Sequence, residues 1–267
     1  MHALQRKLAP TEFEHIKFTG IIVSCLDMNL HTYKGNNDYI SSIVASSNPL
    51  DKSGKRPSFI EEARCDLEVS LAIECDMDFI GDNRFTDYID STLHTMKIAS
   101  GDLMSFKPCR LLEVDNSQPR ELTKYLMPGF CLVSRQELMK KEMEQGSDAI
   151  DAILTYLKTT TDIEIDENHH VKKSQAYKKE KGWIVPIAVG YQGISELGNI
   201  TNSRDSKTPH RFAESIITLG EFKMPYHFET IDEMIWRYQE YHNDDLYLCH
   251  NNFLINNHLS TNEESKL

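Results

Sequence analysis

Residues 67–73 read Leu67-Glu-Val-Ser-Leu-Ala-Ile73, which is the clearest strand pattern in the chain. Large apolar side chains alternate with polar or small ones, which predicts a β-strand with one buried face. A second apolar run, Ile21-Ile-Val-Ser-Cys25, follows Gly20 and predicts a buried strand. Between the two lies a polar stretch, residues 32–58, that contains turn-forming glycine, asparagine and proline. We therefore expect a long projecting hairpin or loop at 32–58.

Helical patterns flank these two strands. Met1, Leu4 and Leu8 form an amphipathic stripe, and residues 85–96 carry apolar side chains three or four positions apart. Residues 110–114 are apolar enough to predict another short strand. The resulting order of helix, strand, hairpin, strand, helix and strand predicts an α+β fold.

The second half of the chain also mixes helices and strands. Capping boxes, in which Ser or Thr precedes Glu by three residues, a cap followed by proline, and a glycine stop mark its predicted helices. These helices are 135–146, one that starts at Ser147, 208–219 and one that starts near Thr230. Residues 183–189 alternate as a strand, whereas the charge-rich residues 159–181 indicate a mobile surface loop.

Composition and charge exclude several classes of protein. The chain has 267 residues, a formal net charge of −12 and a pI near 5.4, which argue against a freestanding nucleic-acid binder. Any site for a polyanion must be a local basic patch or be shared with a partner. No apolar run is long enough to cross a membrane and the first residues lack a signal peptide, so we expect a soluble, cytoplasmic protein. The six cysteines contain no Cys-x-x-Cys pair and are expected to be reduced.

Basic residues lie near aromatic or polar ones in three places. Arginine forks can hold phosphates and aromatic faces can stack on unpaired bases, so this combination indicates single-stranded RNA binding. At the predicted helix near 208, free backbone N–H groups would favour phosphate further. On sequence alone, each cluster is also compatible with an ordinary solvated surface. The candidate RNA-binding residues are Gln5, Arg6, Arg56, Tyr191, Arg204 and Arg211.

An alternative site would bind metal. His227, His242, Asp244 and Asp245 could form a metal-dependent nuclease, although their spacing matches no common metal-binding motif. The chain has neither a Gly-x-Ser-x-Gly elbow nor a phosphate-binding loop. We therefore expect no catalytic residues, metal or cofactor.

Several longer blocks resemble one known family, and they occur in the family's order over nearly the whole chain. The blocks are His2-Ala-Leu-Gln-Arg-Lys7, residues 61–71, residues 127–135, residues 182–191, residues 202–212 and Leu219-Gly-Glu221. They resemble the Csy-two family of CRISPR-associated proteins. Its members are Cas-five-type subunits of the type I-F crRNA-guided surveillance complex, also called the Csy or Cascade complex.

The resemblance implies a ferredoxin-like, RNA-recognition-type core over residues 1–130, with a β-hairpin thumb at about 32–58. Residues 131–267 would pack on this core. The family also has a strand before its first helix, which we expect this chain to lack. The implied function is non-catalytic: binding of the crRNA 5′ handle, pairing with the large Csy-one subunit and contact with Csy-three backbone subunits. Target DNA would be bound by the assembled complex, in defence against viruses or mobile elements. The alternatives are the nuclease above and a protein-only interaction scaffold.

Overall fold

The computed structural model describes residues 1–44, 50, 53–56, 63–77, 83–165, 171–199, 208–241 and 245–253. Its helices are α1 (His2–Leu8), α2 (Asn83–Leu93), α3 (Arg120–Leu126), α4 (Gln136–Glu144), α5 (Ala149–Leu157) and a short 3-10 helix (Pro225–His227). Its first strands are β1 (Lys17–Leu30), β2 (Thr32–Tyr33), β3 (Ser42–Ile43), β4 (Cys65–Asp76), β5 (Lys97–Ile98), β6 (Gly101–Asp102) and β7 (Phe130–Ser134). The later strands are β8 (Thr160–Ile165), β9 (Val171–Tyr177), β10 (Trp183–Gly193), β11 (Ala213–Lys223), β12 (Trp236–Tyr241) and β13 (Leu246–Asn251).

A seven-stranded antiparallel sheet organises the described chain. Its strand order is β12-β13-β10-β11-β7-β1-β4, with a further pairing between β12 and β1. Strand β1 pairs with β4 along most of its length. It also pairs with β7 at Ser24 and Cys25, and with Trp236 of β12 at Ile21. Six strands therefore form a closed ring, and β4 pairs outside it.

Three clusters of buried side chains form the core. In the first, Leu4 and Leu8 of α1 pack with Phe85 and Ile89 of α2, as the apolar stripes of both predicted helices require. In the second, α4 and α5 cover Ile184 of β10 and neighbouring residues of β11. The third fills the space against β1 and β7, where its fully buried members include Cys131 and Val133.

These observations confirm an α+β protein with a large antiparallel sheet. The strands at 21–25 and 67–73, the helices at 1–8 and 85–96, and the strand at 183–189 are confirmed as β1, β4, α1, α2 and β10. The ferredoxin-like core and the division at residue 130 stay predictions. The sheet combines strands from both sides of residue 130. Strands β1 and β4 precede it, β7 begins at Phe130, and β10 to β13 follow.

Two predicted helices are confirmed near their expected ends. The structure starts α4 at Gln136, and Gly146 follows it with a positive φ of 97°, a conformation that glycine adopts at little cost. The next helix, α5, is capped by Asp148 rather than Ser147: the Asp148 side chain accepts a hydrogen bond from the backbone N–H of Asp151 at 2.8 Å.

The prediction of a helix at 208–219 is wrong. Residues 213–223 form β11, which pairs with β10 on one side and β7 on the other. Spacing of the apolar residues suited a helix, but Ile216, Ile217 and Thr218 are β-branched and favour a strand. Pairing with two neighbouring strands then outweighs the Thr208-Pro209 start signal. The predicted helix near Thr230 is also absent from the described residues, although Glu233 accepts a hydrogen bond from the backbone of Glu229 at 3.1 Å.

Two further predictions differ from the structure. Residues 110–114 form no strand; Leu111 and Val114 instead pack against two of the core clusters, which accounts for their apolar character. Residues 159–181, predicted as a loop, contain β8 and β9 in an antiparallel hairpin. Thr160 and Thr161 favour a strand, and the many polar groups concealed that pattern.

The predicted hairpin at 32–58 is described only in part. Its first section forms the short pair β2–β3, in which Thr32 pairs with Ile43. Tyr39 and Ile40 are almost fully exposed between these strands, as expected of a projecting element. Residues 45–49, 51–52 and 57–58 of this stretch lie outside the described residues.

Candidate functional site

The six predicted RNA-binding residues fall in four places. Two are on α1, one is in the described piece at 53–56, and two are at one end of the β10–β11 pair. The sixth, Arg204, lies outside the described residues. Arg56 is exposed, and its role stays a prediction.

Arg211 lies just before β11, not at a helix start. The helix-dipole argument for phosphate binding at this position is therefore wrong. The chain here continues the β10–β11 pair as a narrow ribbon, in which Gly198 and His210 exchange backbone hydrogen bonds of 3.0 and 2.7 Å. Arg211 is thus positioned by strand pairing, which fixes its side chain relative to β10.

A compact contact holds the Arg211 side chain. Its guanidinium forms an ion pair with Asp245, and it lies directly over Gly193, the last residue of β10. The backbone N–H of Gly193 donates to the carbonyl oxygen of Asp245 at 2.9 Å. The Arg211 side chain is 24% exposed and that of Asp245 is 50% exposed. We call Gly193, Arg211 and Asp245 the arginine clamp.

The arginine clamp leaves hydrogen-bonding capacity unused. A guanidinium has five N–H donors, and the described ion pair involves Nη1. The Nε atom of Arg211 is buried without a hydrogen-bond partner in the described structure, as is Nδ1 of the adjacent His210. Nε is too deeply buried to reach an external ligand, but the ion pair does not use Nη2, so that group can donate to a phosphate oxygen while Nη1 stays paired with Asp245. The carboxylate reduces the net positive charge of the site and holds the fork in one place.

Tyr191 projects from the same face of β10 as Gly193, because side chains two residues apart on a strand point to the same side. It is 56% exposed. Its direct cross-strand neighbours are Ser215 on β11 and Tyr247 on β13. An accessible aromatic ring therefore stands beside the arginine clamp.

The two candidate residues on α1, Gln5 and Arg6, differ in their contacts. The Gln5 amide donates from Nε2 to the Ile16 carbonyl at 2.9 Å and accepts from the Phe18 N–H at 2.7 Å. These bonds tie α1 to the start of β1, so the Gln5 side chain has a structural task. Arg6 points away from the core and is exposed. Of the two, Arg6 is the better placed to meet an external ligand.

Sequence reasoning missed the tyrosines of β12 and β13. The rings of Tyr238 and Tyr247 stack with centroids 4.8 Å apart and planes at 25°. His2 of α1 contacts Tyr238 edge-on, with centroids 6.0 Å apart. Burial raises the pKa of Tyr247 to about 12, so its phenol is neutral at physiological pH. Trp236 and Tyr238 stand two positions apart with a polar residue between them, and this spacing could have revealed the strand that carries Tyr238.

The alternative metal site is not assembled by the described residues. His227 contacts the ring of Tyr226, with centroids 4.1 Å apart, and Asp245 belongs to the arginine clamp. No group of three or more potential His, Cys, Asp or Glu ligands occurs within the described ranges. His242 and Asp244 lie outside them.

Comparison with known proteins gives one consistent result. The family described as "CRISPR-associated protein (Cas_Csy2)" matches residues 1–249. The chain belongs to the Csy-two family. A curated relative, CRISPR-associated protein Csy2 of Pseudomonas aeruginosa (strain UCBPP-PA14), is 26% identical over an alignment 266 residues long. The alignment covers 88% of this chain and 80% of the relative.

Family membership confirms the resemblance found in the sequence blocks and identifies the chain as CRISPR-associated. The Csy-two match includes α1, the arginine clamp and both stacked tyrosines, since all lie within residues 1–249. Among the described residues, the longest helix, α2, has 11 residues, so none can span a membrane as a helix.

Proposed function

We propose that this chain is a non-catalytic, crRNA-binding subunit of a type I-F CRISPR surveillance complex in the cytoplasm. It binds the crRNA 5′ handle as single-stranded RNA. It pairs with the large Csy-one subunit and contacts the Csy-three backbone at one end of the complex, and the assembled complex binds target DNA. The observation that most strongly supports this proposal is the Csy-two family match over residues 1–249.

The arginine clamp supports the RNA-binding part of the proposal. The ion pair with Asp245 holds the guanidinium in one orientation, so its remaining N–H donors are positioned for a phosphate oxygen before RNA binds, which lowers the entropy cost of binding. Tyr191 offers an exposed ring on the same face, two residues from Gly193. Phosphate contact by Arg211 and base stacking on Tyr191 together require an unpaired strand, because a duplex keeps its bases stacked on one another.

The acidic net charge of the chain affects how tightly it can bind RNA on its own. The net charge of −12 repels RNA at long range, so the chain alone should bind weakly. Short-range contacts at the clamp must then act together with surfaces supplied by the complex. We therefore expect the tightest RNA binding when the chain is paired with Csy-one.

The test is reconstitution of the chain with Csy-one, Csy-three and a synthetic crRNA, with RNA affinity measured between 50 and 200 mM salt. Replacing both Arg204→Ala and Arg211→Ala should weaken handle binding and reduce the slope of log K against log salt by about 1.4, for two lost phosphate contacts. Arg84→Ala is the matched control, since Arg84 is a 69%-exposed arginine of α2 that pairs with Glu12. Unchanged affinity and slope in the double variant would contradict the assignment of these arginines.

Two outcomes would favour the alternatives. RNA or DNA cleavage by the purified chain that a chelator abolishes would support the metal-dependent nuclease. Stable pairing with Csy-one without any crosslink between the chain and the crRNA would support the protein-only scaffold. Either result would overturn the proposed function.

A further inference from the structure

Four aromatic residues lie between the two parts of the candidate site, the β10–β11 end and helix α1. Tyr191 of β10 stands directly opposite Tyr247 of β13, and side chains in such pairs project from the same face with Cβ atoms about 5 Å apart. Tyr247 stacks on Tyr238 of β12, and Tyr238 contacts His2 of α1. We call His2, Tyr238, Tyr247 and Tyr191 the aromatic row. It crosses three neighbouring strands and ends on a helix.

The aromatic row lies outside the core. None of its four side chains belongs to the three core clusters of the described residues. Tyr191 is 56% exposed, Tyr238 is 37% exposed and His2 is exposed. Tyr247 is half-buried and one of its faces is covered by Tyr238, so the accessible ring surface of the row is supplied mainly by Tyr191, Tyr238 and His2.

Arginines stand at both ends of the aromatic row. At one end, Arg211 lies over Gly193, two residues beyond Tyr191 on the same face of β10. At the other end, Arg6 follows His2 by four residues, which places both on the same side of α1. A strand of RNA laid along the row would therefore meet a guanidinium where it enters and where it leaves.

The middle of the row has the opposite charge. Glu240 is the direct cross-strand partner of Tyr247, whereas Asp245 precedes β13 and is paired with Arg211 at the end of the row. Carboxylates repel phosphates, so the backbone of a nucleic acid is disfavoured over the centre of the row. Neutral bases are not repelled, and stacking on a ring needs no charge. The pattern of cation, neutral rings and cation thus fits an unpaired strand whose bases face the protein.

We propose that the aromatic row is a base-stacking surface for single-stranded RNA, anchored by Arg6 and Arg211 at its ends. This inference rests on the proposed function and assigns the bases of the bound strand to Tyr238, Tyr247 and His2 as well as to Tyr191. A protein partner is the competing occupant, because tyrosines are also common at protein interfaces. The paired arginines at the two ends favour RNA.

The experiment uses the full chain, alone and paired with Csy-one, and a fluorescein-labelled single-stranded handle RNA. A second RNA carries 2-aminopurine, whose fluorescence is quenched when it stacks. Tyr238→Leu and Tyr247→Leu should each weaken RNA binding about tenfold, because a base loses its aromatic partner. The slope of log K against log salt should not change, because no phosphate contact is lost.

Conservative variants separate stacking from folding. Tyr238→Phe and Tyr247→Phe keep the ring and should retain both wild-type affinity and 2-aminopurine quenching. His2→Ala removes an exposed ring outside the core, so this variant should fold normally. It should lower 2-aminopurine quenching, which tests the row independently of whether the leucine variants fold. Tyr226→Leu is the matched control: Tyr226 is a 59%-exposed tyrosine that also contacts a histidine, but it belongs to the 3-10 helix and not to the row.

The outcomes distinguish this inference from the proposed function. If the wild-type chain paired with Csy-one binds no RNA, both fail. If it binds RNA and Arg211→Ala lowers the salt slope, but the leucine and His2 variants retain affinity and quenching, the aromatic row is refuted alone. If the leucine variants instead lose Csy-one while their RNA binding is unaffected, the row is a protein interface and the inference is overturned.

Discussion

Gly193→Ala should disable the arginine clamp without changing any charge. A Cβ atom at position 193 would have Arg211 atoms as its three nearest neighbours, with Cδ at 2.8 Å and Cζ at 3.1 Å. These separations are shorter than side chains tolerate, and the Arg211 side chain is the flexible partner. The guanidinium must therefore move away from Gly193 and from its position beside Asp245.

The expected size of the effect follows from one lost phosphate contact. On single-stranded RNA, each such contact contributes about 0.7 to the slope of log K against log salt. When the salt is raised from 50 to 200 mM, RNA binding by the Gly193→Ala variant should therefore weaken by a factor about 2.6 times smaller than binding by the wild-type chain. At 50 mM salt the variant should already bind RNA more weakly than the wild-type chain. The free energy of unfolding should hardly change. Alanine in place of a strand glycine increases it by about 0.5–1 kcal/mol, and loss of a partly exposed ion pair decreases it by about the same amount.

The assay is fluorescence anisotropy of a labelled handle RNA with the chain paired to Csy-one, at four or so salt concentrations. Gly198→Ala is the matched control, because a Cβ atom there meets nothing within 4 Å although Gly198 lies on the same ribbon. If the clamp acts as a unit, Gly193→Ala combined with Arg211→Ala should behave as Arg211→Ala alone. Additive losses, or a wild-type slope in Gly193→Ala, would show that Gly193 does not hold Arg211 against a phosphate.

Two further predictions concern the rest of the fold. Glu142 accepts hydrogen bonds from Lys179 at 2.7 Å and Tyr156 at 2.9 Å, and these, in that order, lower its pKa. Its carboxylate therefore stabilises the fold above its ordinary pKa and loses that contribution as the pH falls through the lowered value, so urea unfolding from about pH 5 to pH 2 should show a flatter acid limb in Glu142→Gln. An equally steep acid limb in the variant would contradict this. Among the cysteines, burial raises the pKa of Cys131 to about 12, whereas Cys65 is exposed. Iodoacetamide should modify Cys65 first and Cys131 last in the folded chain, as mass spectrometry can follow; equal rates would show that Cys131 is accessible.

The sequence predicted elements well where one pattern dominated. Alternation at 67–73 gave β4, and the stripes of Leu4 with Leu8 and of Phe85 with Ile89 gave α1 and α2. In each case the period of the buried side chains matches a single type of secondary structure. Such local patterns carry no information about which strands become neighbours, so the closure of the sheet could not be foreseen.

Errors arose where two local signals competed. Thr208-Pro209 resembles a helix start, but the β-branched run of Ile216, Ile217 and Thr218 pairs with β10 and β7. That pairing depends on residues far away in the chain, which a local pattern does not contain. At 110–114, Leu111 and Val114 pack against core clusters without joining a sheet, whereas Leu112 is exposed. Hydrophobicity there predicted the partial burial of two residues but not the absence of a strand.

The candidate site was predictable in its residue types and not in its geometry. Arginine and tyrosine near position 200 suggested RNA, and the family match makes that chemistry the central proposal. The partner of Arg211, Asp245, had instead been considered as a metal ligand, because sequence distance hid their contact. Gln5 was predicted to meet RNA, yet both ends of its amide are bonded to β1 and the residue before it.

The pairing of Ile21 with Trp236 has a consequence for how the chain matures during translation. The ribosome delivers β1 early, together with the β4 partner that follows it, but Trp236 emerges only after most of the polypeptide has been made. Until then, the stretch of β1 around Ile21 has an unoccupied edge in the nascent chain. Ring closure is thus a late event with high contact order, and it should be the slow step of folding. Assembly factors that recognise open strand edges would have their longest opportunity during that interval.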